Sequence, residues 1–188
     1  MSPMRYIAFD LDDVLANLRD PLMTVLNRET GRDIHWRQWT EYELSGIYGA
    51  SVERIMDWVH RFGVLEAATP EPWARATLEA VRRAGYRVAV VTARGWHPRG
   101  ETLTWTWLAR HALKVDEVHL VSGERSKAEV LARLGAVEHY VDDHLGHLYP
   151  AQGSPKIRQL HVLDRPWNRH DATLNRLYTL EDFVGLLD

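Results

Sequence analysis

Short apolar runs recur along the chain, and a polar side chain follows each of them. Because the runs are short, rich in β-branched residues and nearly continuous, they are typical of strands that a parallel sheet buries on both faces. The runs and the residues that follow them are Tyr6–Phe9 with Asp10, Arg87–Val91 with Thr92, Val118–Val121 with Ser122, His139–Val141 with Asp142, and Leu160–Leu163 with Asp164. These runs therefore predict a parallel sheet.

Helical patterns lie between the predicted strands. They predict helices over residues 72–84, 102–113 and 127–134, with Gly85 after the first and Gly135 after the third as glycines of the kind that end helices. Alternating strands and helices predict an α/β fold with a doubly wound, Rossmann-like parallel sheet. In such sheets ligands bind at the carboxyl ends of the strands, where the polar residues named above lie.

The first connection is much longer than one crossover helix requires. Asp20-Pro21 is typical of a helix start, and Ser51 is a candidate N-cap for a helix that runs through Arg61 and ends at Gly63. Connections between a strand and a helix are normally short, so we predict that residues 17–70 form a small helical cap inserted after the first strand. Residues 1–16 and 71–188 would then form the core domain.

The composition restricts the classes of protein that the chain can represent. Its 188 residues, 45% hydrophobic and 26% charged, suffice for one globular domain with a small insertion. The chain has no cysteine, which excludes disulfides, thiolate catalysis and cysteine-ligated zinc. Its N-terminus does not read as a signal peptide and no apolar run is long enough to span a membrane, so we predict a cytoplasmic protein without a membrane partner.

The strongest chemical signal is the segment from Phe9 to Leu15, which holds Asp10, Asp12 and Asp13. Three carboxylates in four positions repel one another where a strand ends, and a fold tolerates them when a cation or a proton neutralises them. Hard oxygen ligands favour Mg²⁺ over softer metals. A solvated acidic turn is the alternative interpretation, and it is the more common one for an isolated Asp-x-Asp pair.

Three further signals follow in the order that a phosphoryl-transfer site requires. Thr92 could donate a hydrogen bond to a phosphoryl oxygen, and Arg94 could add a bidentate contact. Lys127, at the start of a predicted helix, could neutralise both carboxylates and a phosphate. Asp142 and Asp143 could complete a metal site. Each signal has a structural alternative (a strand end, a surface lysine, a turn or helix cap), but their joint occurrence in this order favours phosphoryl chemistry.

This set of motifs resembles that of the haloacid dehalogenase-like phosphohydrolase superfamily. The family pattern is a strand that ends in Asp-x-Asp-x-Thr/Val, a strand that ends in Ser or Thr, a downstream Lys, and a strand that ends in paired acids. The matching residues are Asp10-Leu11-Asp12-Asp13-Val14, Thr92, Lys127 and Asp142-Asp143. Asp13 departs from the pattern, because the family often has Gly at this position, and it adds an acid near the expected metal.

The resemblance implies a mechanism and a cofactor. Asp10 would attack phosphorus and form an aspartyl-phosphate, and Asp12 would protonate the leaving alcohol and later accept a proton from water. Thr92 and Lys127 would complete the catalytic set by balancing charge on the phosphoryl oxygens. The expected cofactor is Mg²⁺, and its expected ligands are Asp10, Asp12 (through its main-chain carbonyl), Asp142 and Asp143.

A finer similarity concerns the substrate. Asp10–Ala16 together with Asp164–Asn168 is similar to the 5′(3′)-deoxyribonucleotidase branch of the superfamily, in which the cap supplies aromatic contacts to the base. Each aromatic ring of the insertion could equally belong to the core of a helical cap. The candidate substrate contacts are Arg94, Trp36, Trp39 and Tyr42. In the predicted body helices, the tryptophans expected to pack inside are Trp73, Trp105 and Trp107.

We therefore expect a Mg²⁺-dependent phosphatase that acts on a small phosphorylated substrate, with a deoxyribonucleotide or another nucleoside monophosphate as the first candidate. A polynucleotide 3′-phosphatase is the second candidate. The lack of a basic stripe argues against stable nucleic-acid binding, because such binding relies on phosphate neutralisation, although processing of nucleic-acid ends stays open. The sequence is also compatible with a sugar phosphatase and with a catalytically silent nucleotide-binding module. It does not indicate an oligomeric state.

Overall fold

A six-stranded parallel sheet forms the centre of the protein in the computed structural model, which describes residues 4–123 and 125–187. All neighbouring strands of this sheet run parallel, which confirms the predicted α/β fold. In spatial order the strands are β5 (Glu117–Leu120), β4 (Arg87–Thr92), β1 (Arg5–Phe9), β6 (Ala136–Asp142), β7 (Ile157–Leu163) and β8 (Asn175–Leu177).

The strand order places the candidate residues at the centre of one sheet edge. The chain builds β4 and β5 on one side of β1 and then crosses to build β6, β7 and β8 on the other side. The topological switch point therefore lies between β1 and β6. Phe9 pairs with Val90 of β4 and with Val141 of β6, so these three central strands end at the same level. Ligands bind at such a point, outside the carboxyl ends of the strands.

Helices cover both faces of this sheet and also form a group beside it. They are α1 (Arg19–Thr30), α2 (Ser45–Tyr48), α3 (Val52–Arg61), α4 (Val64–Ala67), α5 (Ala74–Arg83), α6 (Gly100–Arg110), α7 (Lys127–Leu134), α8 (Leu145–Ala151) and α9 (Leu180–Val184). Short 3₁₀ helices cover Trp36–Gln38, Arg94–Trp96 and Pro166–Asn168.

Strand β1 shows why the predicted strands are continuously apolar. Ile7 and Phe9 pack into a cluster with residues of α5, α6 and α9, while Tyr6 and Ala8 pack into a second cluster with residues of α7 and α8. Successive side chains of a strand point to opposite faces. Because helices cover both faces, the positions from Tyr6 to Phe9 are all buried, and only Arg5 at the start of the strand is exposed.

Several predicted helix boundaries are confirmed and others are wrong. Helix α7 has the predicted bounds, and Ser51 caps α3 by accepting a hydrogen bond from the main-chain N–H of Arg54. Helix α5 begins two residues later than predicted, because Trp73 is in the left-handed region with φ of 69°. Helix α6 covers residues 100–110 rather than 102–113, and Ala112, with φ of 54°, lies beyond its end.

The structure also corrects the prediction for two tryptophans. It adds one strand, β8, to the predicted parallel sheet. Trp107 is buried, and its indole N–H donates to the carbonyl of Ala68 at 2.7 Å, as expected for a packing residue. Trp73 and Trp105 are 45% and 41% exposed, so the expectation that they pack inside is wrong. Strand β8 has no counterpart among the predicted runs, because it has only three residues and two of them are polar.

Helices α1 to α4 lie within the predicted insertion and share one apolar cluster. A two-stranded antiparallel ribbon of β2 (Ala16–Asn17) and β3 (Thr69–Pro70) joins the two ends of this segment. Two residues from outside it, Leu103 of α6 and Trp167, belong to the same apolar cluster. The insertion therefore packs directly against the rest of the molecule, and its division into a cap over residues 17–70 stays a prediction.

Within residues 4–123 and 125–187, no helix combines the length and the apolar character that crossing a membrane requires. The cytoplasmic location stays a prediction from the sequence.

Two buried histidines on neighbouring strands face each other on the side of the sheet that α9 covers. His139 Nδ1 of β6 lies 2.9 Å from His161 Nε2 of β7, and both rings pack against Phe183 of α9 in edge-on geometry. Burial, followed by the neighbouring His139, lowers the pKa of His161 from 6.5 to about 4. Burial also lowers the pKa of His139. Both rings are therefore neutral in the folded protein at neutral pH.

This pair makes the fold sensitive to acid. The unfolded chain takes up a proton at His161 below about pH 6.5, whereas the folded chain resists it until about pH 4, so stability falls as the pH drops through that window. The lowered pKa of His139 acts in the same direction. The unfolding free energy of the native protein should fall between about pH 7 and pH 5. We expect His161→Gln to make this fall smaller by roughly 2 kcal/mol. Urea unfolding at both pH values measures this. The exposed His170→Gln is the control, and equal acid sensitivity of the two variants would contradict the prediction.

Candidate active site

Three sheet strands and one helix bring the predicted residues together. Asp10 follows β1, Thr92 ends β4, Asp142 ends β6, and Lys127 opens α7. The side chains of Asp10, Asp142 and Asp143 each offer an oxygen within 4.8 Å of the others, and all three residues are buried. Motifs that are far apart in the sequence thus meet in a single cluster at the carboxyl edge of the sheet, because parallel strands all end at that edge.

Lys127 is the cation at the centre of this cluster. Its Nζ lies 2.7 Å from Asp10 Oδ1 and 2.9 Å from Asp142 Oδ2, and the residue is 1% exposed. Burial alone would lower the pKa of Lys127, but the charges of Asp10 and Asp142 raise it above its usual value. Lys127 is therefore an ammonium ion that joins the two carboxylates. Ser126 fixes the start of the helix by accepting from the main-chain N–H of Glu129.

Asp142 is held ionised by its surroundings. It accepts hydrogen bonds from the hydroxyl of Tyr140 and from the main-chain N–H of His144, the latter at 2.9 Å. Burial acts to raise the pKa of Asp142, but Lys127 and the hydrogen bonds from its neighbours outweigh burial and hold the pKa well below its ordinary value. Asp142 therefore provides a fixed negative charge.

Burial and the neighbouring carboxylates raise the pKa of both Asp10 and Asp143. Burial is the largest cause that raises the pKa of Asp10 to about 7, with Lys127 opposing it and Asp142 and Asp12 adding to it. Burial and then the charges of Asp142 and Asp10 raise the pKa of Asp143 well above its usual range. Asp143 accepts a hydrogen bond from the indole N–H of Trp167 at 2.8 Å, but no cationic side chain of the described structure pairs with it.

Asp12 and Arg94 form a bidentate ion pair. Arg94 Nε donates to Asp12 Oδ2 at 2.9 Å and Arg94 Nη2 donates to Asp12 Oδ1 at 2.5 Å. The guanidinium is buried, whereas the side chain of Asp12 is 23% exposed. Two predicted site residues, assigned separately to substrate binding and to catalysis, are therefore direct partners.

Asp13 turns away from the three-carboxylate cluster. Its Oδ1 accepts hydrogen bonds from the main-chain N–H groups of Leu18 and Arg19 and from the Arg19 guanidinium, each at 3.1 Å. Arg19 also pairs with Glu71, and Arg165 Nη2 lies 3.2 Å from the same carboxylate of Glu71. Burial, opposed by these cations, raises the pKa of Asp13 to about 6. No sequence motif marks Arg19 or Glu71 as partners of this site, whereas Arg165 lies in the Asp164–Asn168 segment that the sequence comparison singled out.

The charges of the site do not balance. Six carboxylates lie at this edge, and four basic side chains pair with five of them. Two negative charges remain among the described residues, which is the deficit that one divalent cation removes. The carboxylates are Asp10, Asp12, Asp13, Glu71, Asp142 and Asp143, and the basic residues are Arg19, Arg94, Lys127 and Arg165. Hard carboxylate oxygens are the donors that Mg²⁺ prefers, so the residues fit that cofactor.

Two buried donors face this cluster without a partner in the described chain. Thr92 is fully buried, and its Oγ1 has no hydrogen-bond partner among residues 4–123 and 125–187. Within the same residues, the buried Nη1 of Arg94 also lacks a partner. A buried polar group without a hydrogen bond is costly, and a bound ligand or water is what normally satisfies such a group. The Thr92 hydroxyl, at the end of β4, is therefore available to a ligand of this site.

A cavity of about 490 Å³ opens beside the carboxylates. Asp12, Asp13 and Asp143 line one end, and apolar and aromatic side chains line most of the remainder. No Lys or Arg lines the cavity within the described part of the chain. Its apolar wall includes Leu22, Leu44, Ile55, Val59, Trp96 and Trp167.

The three predicted aromatic contacts occupy different places. Trp39 lines the cavity but is also buried, and its Nε1 donates to the Tyr48 hydroxyl at 3.1 Å. Tyr42 lines the cavity with a half-exposed ring stacked on His144 at a centroid distance of 3.7 Å. Burial of its hydroxyl end and the nearby carboxylates raise the pKa of Tyr42 well above 10. Trp36 does not line the cavity; its ring lies under the guanidinium of Arg19.

Comparison with known proteins identifies this arrangement. The family described as 5′ nucleotidase, deoxy (pyrimidine), cytosolic type C protein matches residues 4–186. The chain belongs to this family. A relative from Bacillus subtilis (strain 168), named "Putative nucleotidase YqfW", is 23% identical over 146 residues, which cover 77% of this chain and 72% of the relative. Membership of the nucleotidase family makes the chain a haloacid dehalogenase-like phosphatase, and the expected superfamily and enzyme class are thereby confirmed.

Solved structures share the fold of this nucleotidase-family chain. A predicted phosphatase from Clostridium acetobutylicum has a TM-score of 0.70 at 12% identity, with 99% of each chain covered. A hydrolase of the same superfamily, subfamily IA, variant 1, from Geobacter sulfurreducens PCA has a TM-score of 0.63 at 14% identity, covering 98% of this chain and 97% of that one. At these identities the similarity concerns the fold alone.

The buried Arg19 network can be tested by its effect on stability. Arg19→Met leaves Asp13 and Glu71 buried with one fewer cation, so we expect a loss of roughly 3–5 kcal/mol in unfolding free energy. Adding Glu71→Leu removes one of the two carboxylates that then share Arg165, and should restore part of this loss. Urea denaturation of both variants and of Arg75→Met, which breaks an exposed i,i+4 pair and should cost at most about 0.5 kcal/mol, measures the difference. Similar effects of Arg19→Met and Arg75→Met would show that the network contributes little.

Proposed function

We propose that this protein is a Mg²⁺-dependent nucleoside monophosphatase that acts through an aspartyl-phosphate on Asp10, with deoxyribonucleoside monophosphates as its preferred substrates. The observation that carries the proposal is the cavity that extends from Asp12, Asp13 and Asp143 into an apolar, aromatic space. A phosphate at the cluster would leave the rest of the substrate in that space. A nucleobase, which is flat and stacks on aromatic rings, suits such walls better than a sugar does.

The charge of the cavity limits what else the substrate can carry. The charged side chains of its lining are the carboxylates Asp12, Asp13, Glu43 and Asp143, and the neutral polar groups include Tyr42 and His144. Additional phosphates of a polynucleotide would therefore meet negative charges with no lining Lys or Arg, within the described residues, to neutralise them. This argues against a polynucleotide 3′-phosphatase. The description of the matching family, a 5′ nucleotidase for deoxy pyrimidine nucleotides, agrees with a mononucleotide substrate.

The residues of the cluster take the following parts in the reaction. Asp10 attacks phosphorus, the bond between phosphorus and the leaving oxygen breaks, and that oxygen takes the bonding electrons together with the proton of Asp12. Water then attacks the phosphoryl group and gives a proton to Asp12, which releases phosphate and restores Asp10. Lys127 and the Thr92 hydroxyl bind the phosphoryl oxygens and stabilise their charge.

The cofactor would be held by the side chains of Asp10, Asp142 and Asp143 and by the main-chain carbonyl of Asp12. When bound, Mg²⁺ supplies positive charge that neutralises the carboxylates and the phosphoryl oxygens. Asp142 is suited to this role because Lys127 keeps it ionised, and Asp143 because its charge is otherwise unpaired in the described chain. Trp167 and Asn168 orient Asp143 through hydrogen bonds to its side chain and to its main-chain carbonyl, each at 2.8 Å.

Phosphate release tests the reaction and ranks the substrates. With Mg²⁺, we expect turnover of deoxyribonucleoside monophosphates to exceed that of sugar phosphates and 3′-phosphorylated oligonucleotides. Asp10→Asn should lower kcat by at least about 10³-fold, because the amide cannot act as the nucleophile. The exposed Asp57→Asn serves as the charge-matched control.

Each contrary outcome of that assay has a clear meaning. Preference for the oligonucleotide would overturn the mononucleotide proposal in favour of nucleic-acid end processing. Preference for sugar phosphates would show that the apolar wall does not bind a base. Activity that survives Asp10→Asn would exclude the aspartyl-phosphate mechanism.

Metal binding can be measured without turnover. Mg²⁺ should raise the melting temperature of the native protein, because a ligand that binds only the folded state stabilises it. Asp143→Asn should raise the melting temperature in EDTA, since it replaces a carboxyl group whose ionisation burial and the neighbouring carboxylates oppose, and should abolish most of the Mg²⁺-induced rise. Differential scanning fluorimetry of the native protein, Asp143→Asn and Asp57→Asn gives both values. A full Mg²⁺ response in Asp143→Asn would remove this residue from the metal site.

A further inference from the structure

Close packing fixes the position of Arg94 in the site. The residue is 1% exposed and opens the 3₁₀ helix after β4. The N–H of Gly95 donates to the carbonyl of Val121 at 3.1 Å, and a Cβ at Gly95 would lie 2.7 Å from that same oxygen. A Cβ at Gly100 would collide with the carbonyl of Arg94. These close approaches fix the main chain of Arg94 against neighbouring main chain.

The guanidinium of Arg94 presents two parallel N–H groups to Asp12. Nε and Nη2 each donate to a different oxygen of the Asp12 carboxylate. A bidentate pair sets the plane of the carboxylate as well as its position. Asp12 is the more exposed and adaptable partner, while the position of Arg94 is set by its packing.

We propose that Arg94 is the positioning residue for Asp12, orienting its carboxyl group toward the leaving oxygen, and that it is not a ligand for the substrate phosphate. This inference rests on the proposed function, in which Asp12 transfers the proton. During the first step, one oxygen of the protonated Asp12 continues to accept from Arg94 while its O–H donates to the leaving oxygen. Once this proton has left, both oxygens of the Asp12 carboxylate accept from Arg94. In the second step one of these oxygens takes the proton from water and gives up its contact with Arg94.

The two roles that Arg94 could have predict different dependence on the leaving group. An alcohol, such as the sugar hydroxyl of a nucleotide, requires a proton as it departs. The phenolate of p-nitrophenyl phosphate departs without one. Loss of a residue that orients the proton donor therefore affects only the first substrate strongly, whereas loss of a phosphate ligand affects both substrates and raises KM.

The experiment compares kcat and KM on a deoxyribonucleoside monophosphate and on p-nitrophenyl phosphate. For Arg94→Gln we expect a fall of about 10²-fold in kcat on the nucleotide, a fall of less than about fivefold on p-nitrophenyl phosphate, and little change in either KM. Asp12→Asn should show the same selectivity, and adding Arg94→Gln to it should cause little further loss, because the two residues act as one unit. Arg94→Lys should restore only part of the nucleotide activity, since an ammonium lacks the fork.

The control and the folding check keep these outcomes distinct. Arg133→Gln, an exposed arginine on α7, removes the same charge and should leave both activities unchanged. If Arg94→Gln does not fold, Arg94→Lys retains the buried charge, and its selectivity decides the question. Equal losses on both substrates with raised KM overturn the proposal and make Arg94 a phosphate ligand. Absence of turnover by the native protein on either substrate would instead reject the proposed function.

Discussion

Six carboxylates at one edge of a parallel sheet create the electrostatic problem that organises the rest of this protein. Four buried or nearly buried cations compensate most of that charge, and each comes from a different part of the chain: α1, the segment after β4, the start of α7 and the segment after β7. Since an unpaired buried charge is very costly, these segments must meet at this edge. Among the described residues, two negative charges at Asp143 and its neighbours have no basic side chain to compensate them. The fold thus leaves room for a divalent cation there rather than for another side chain.

The same constraint separates the carboxylates into distinct chemical roles. Asp142 is kept ionised by Lys127, whereas burial raises the pKa of Asp10 to about 7 and raises that of Asp143 well above its usual range. Asp12 faces Arg94 and the cavity. In the proposed mechanism, a cation bound by Asp10 and Asp143 would favour their charged forms, and with them the nucleophilic form of Asp10. Ion pairing therefore gives these carboxylates different protonation behaviour as well as compensating their charge.

The sequence predicted the sheet and the grouping of Asp10, Lys127, Asp142 and Asp143 at one edge, because both depend on local patterns. Apolar runs that end in polar residues mark buried parallel strands, and parallel topology forces their carboxyl ends to meet. The partners of those residues were less accessible. Arg19 and Glu71 lie in segments without a motif, and they meet only because β2 and β3 pair as a ribbon. Trp36 could not be distinguished from Trp39 by sequence, because which ring faces the cavity depends on the packing of the insertion. Trp73 is exposed, and its left-handed main-chain conformation places it before the helix that was expected to bury it.

Asp13 shows how a departure from a family pattern can be explained by local geometry. The residue has φ of 58°, a region that glycine adopts freely and that aspartate and asparagine tolerate better than most other residues. Aspartate satisfies this requirement and adds an acceptor that glycine lacks, which binds the N–H groups of Leu18 and Arg19 at the start of α1. The extra acid expected near the metal therefore serves the first turn of the insertion, and Arg19 and Arg165 compensate its charge. Because Glu71 at the other end of the insertion shares both arginines, the backbone turn that follows the nucleophile is tied to both ends of the inserted segment.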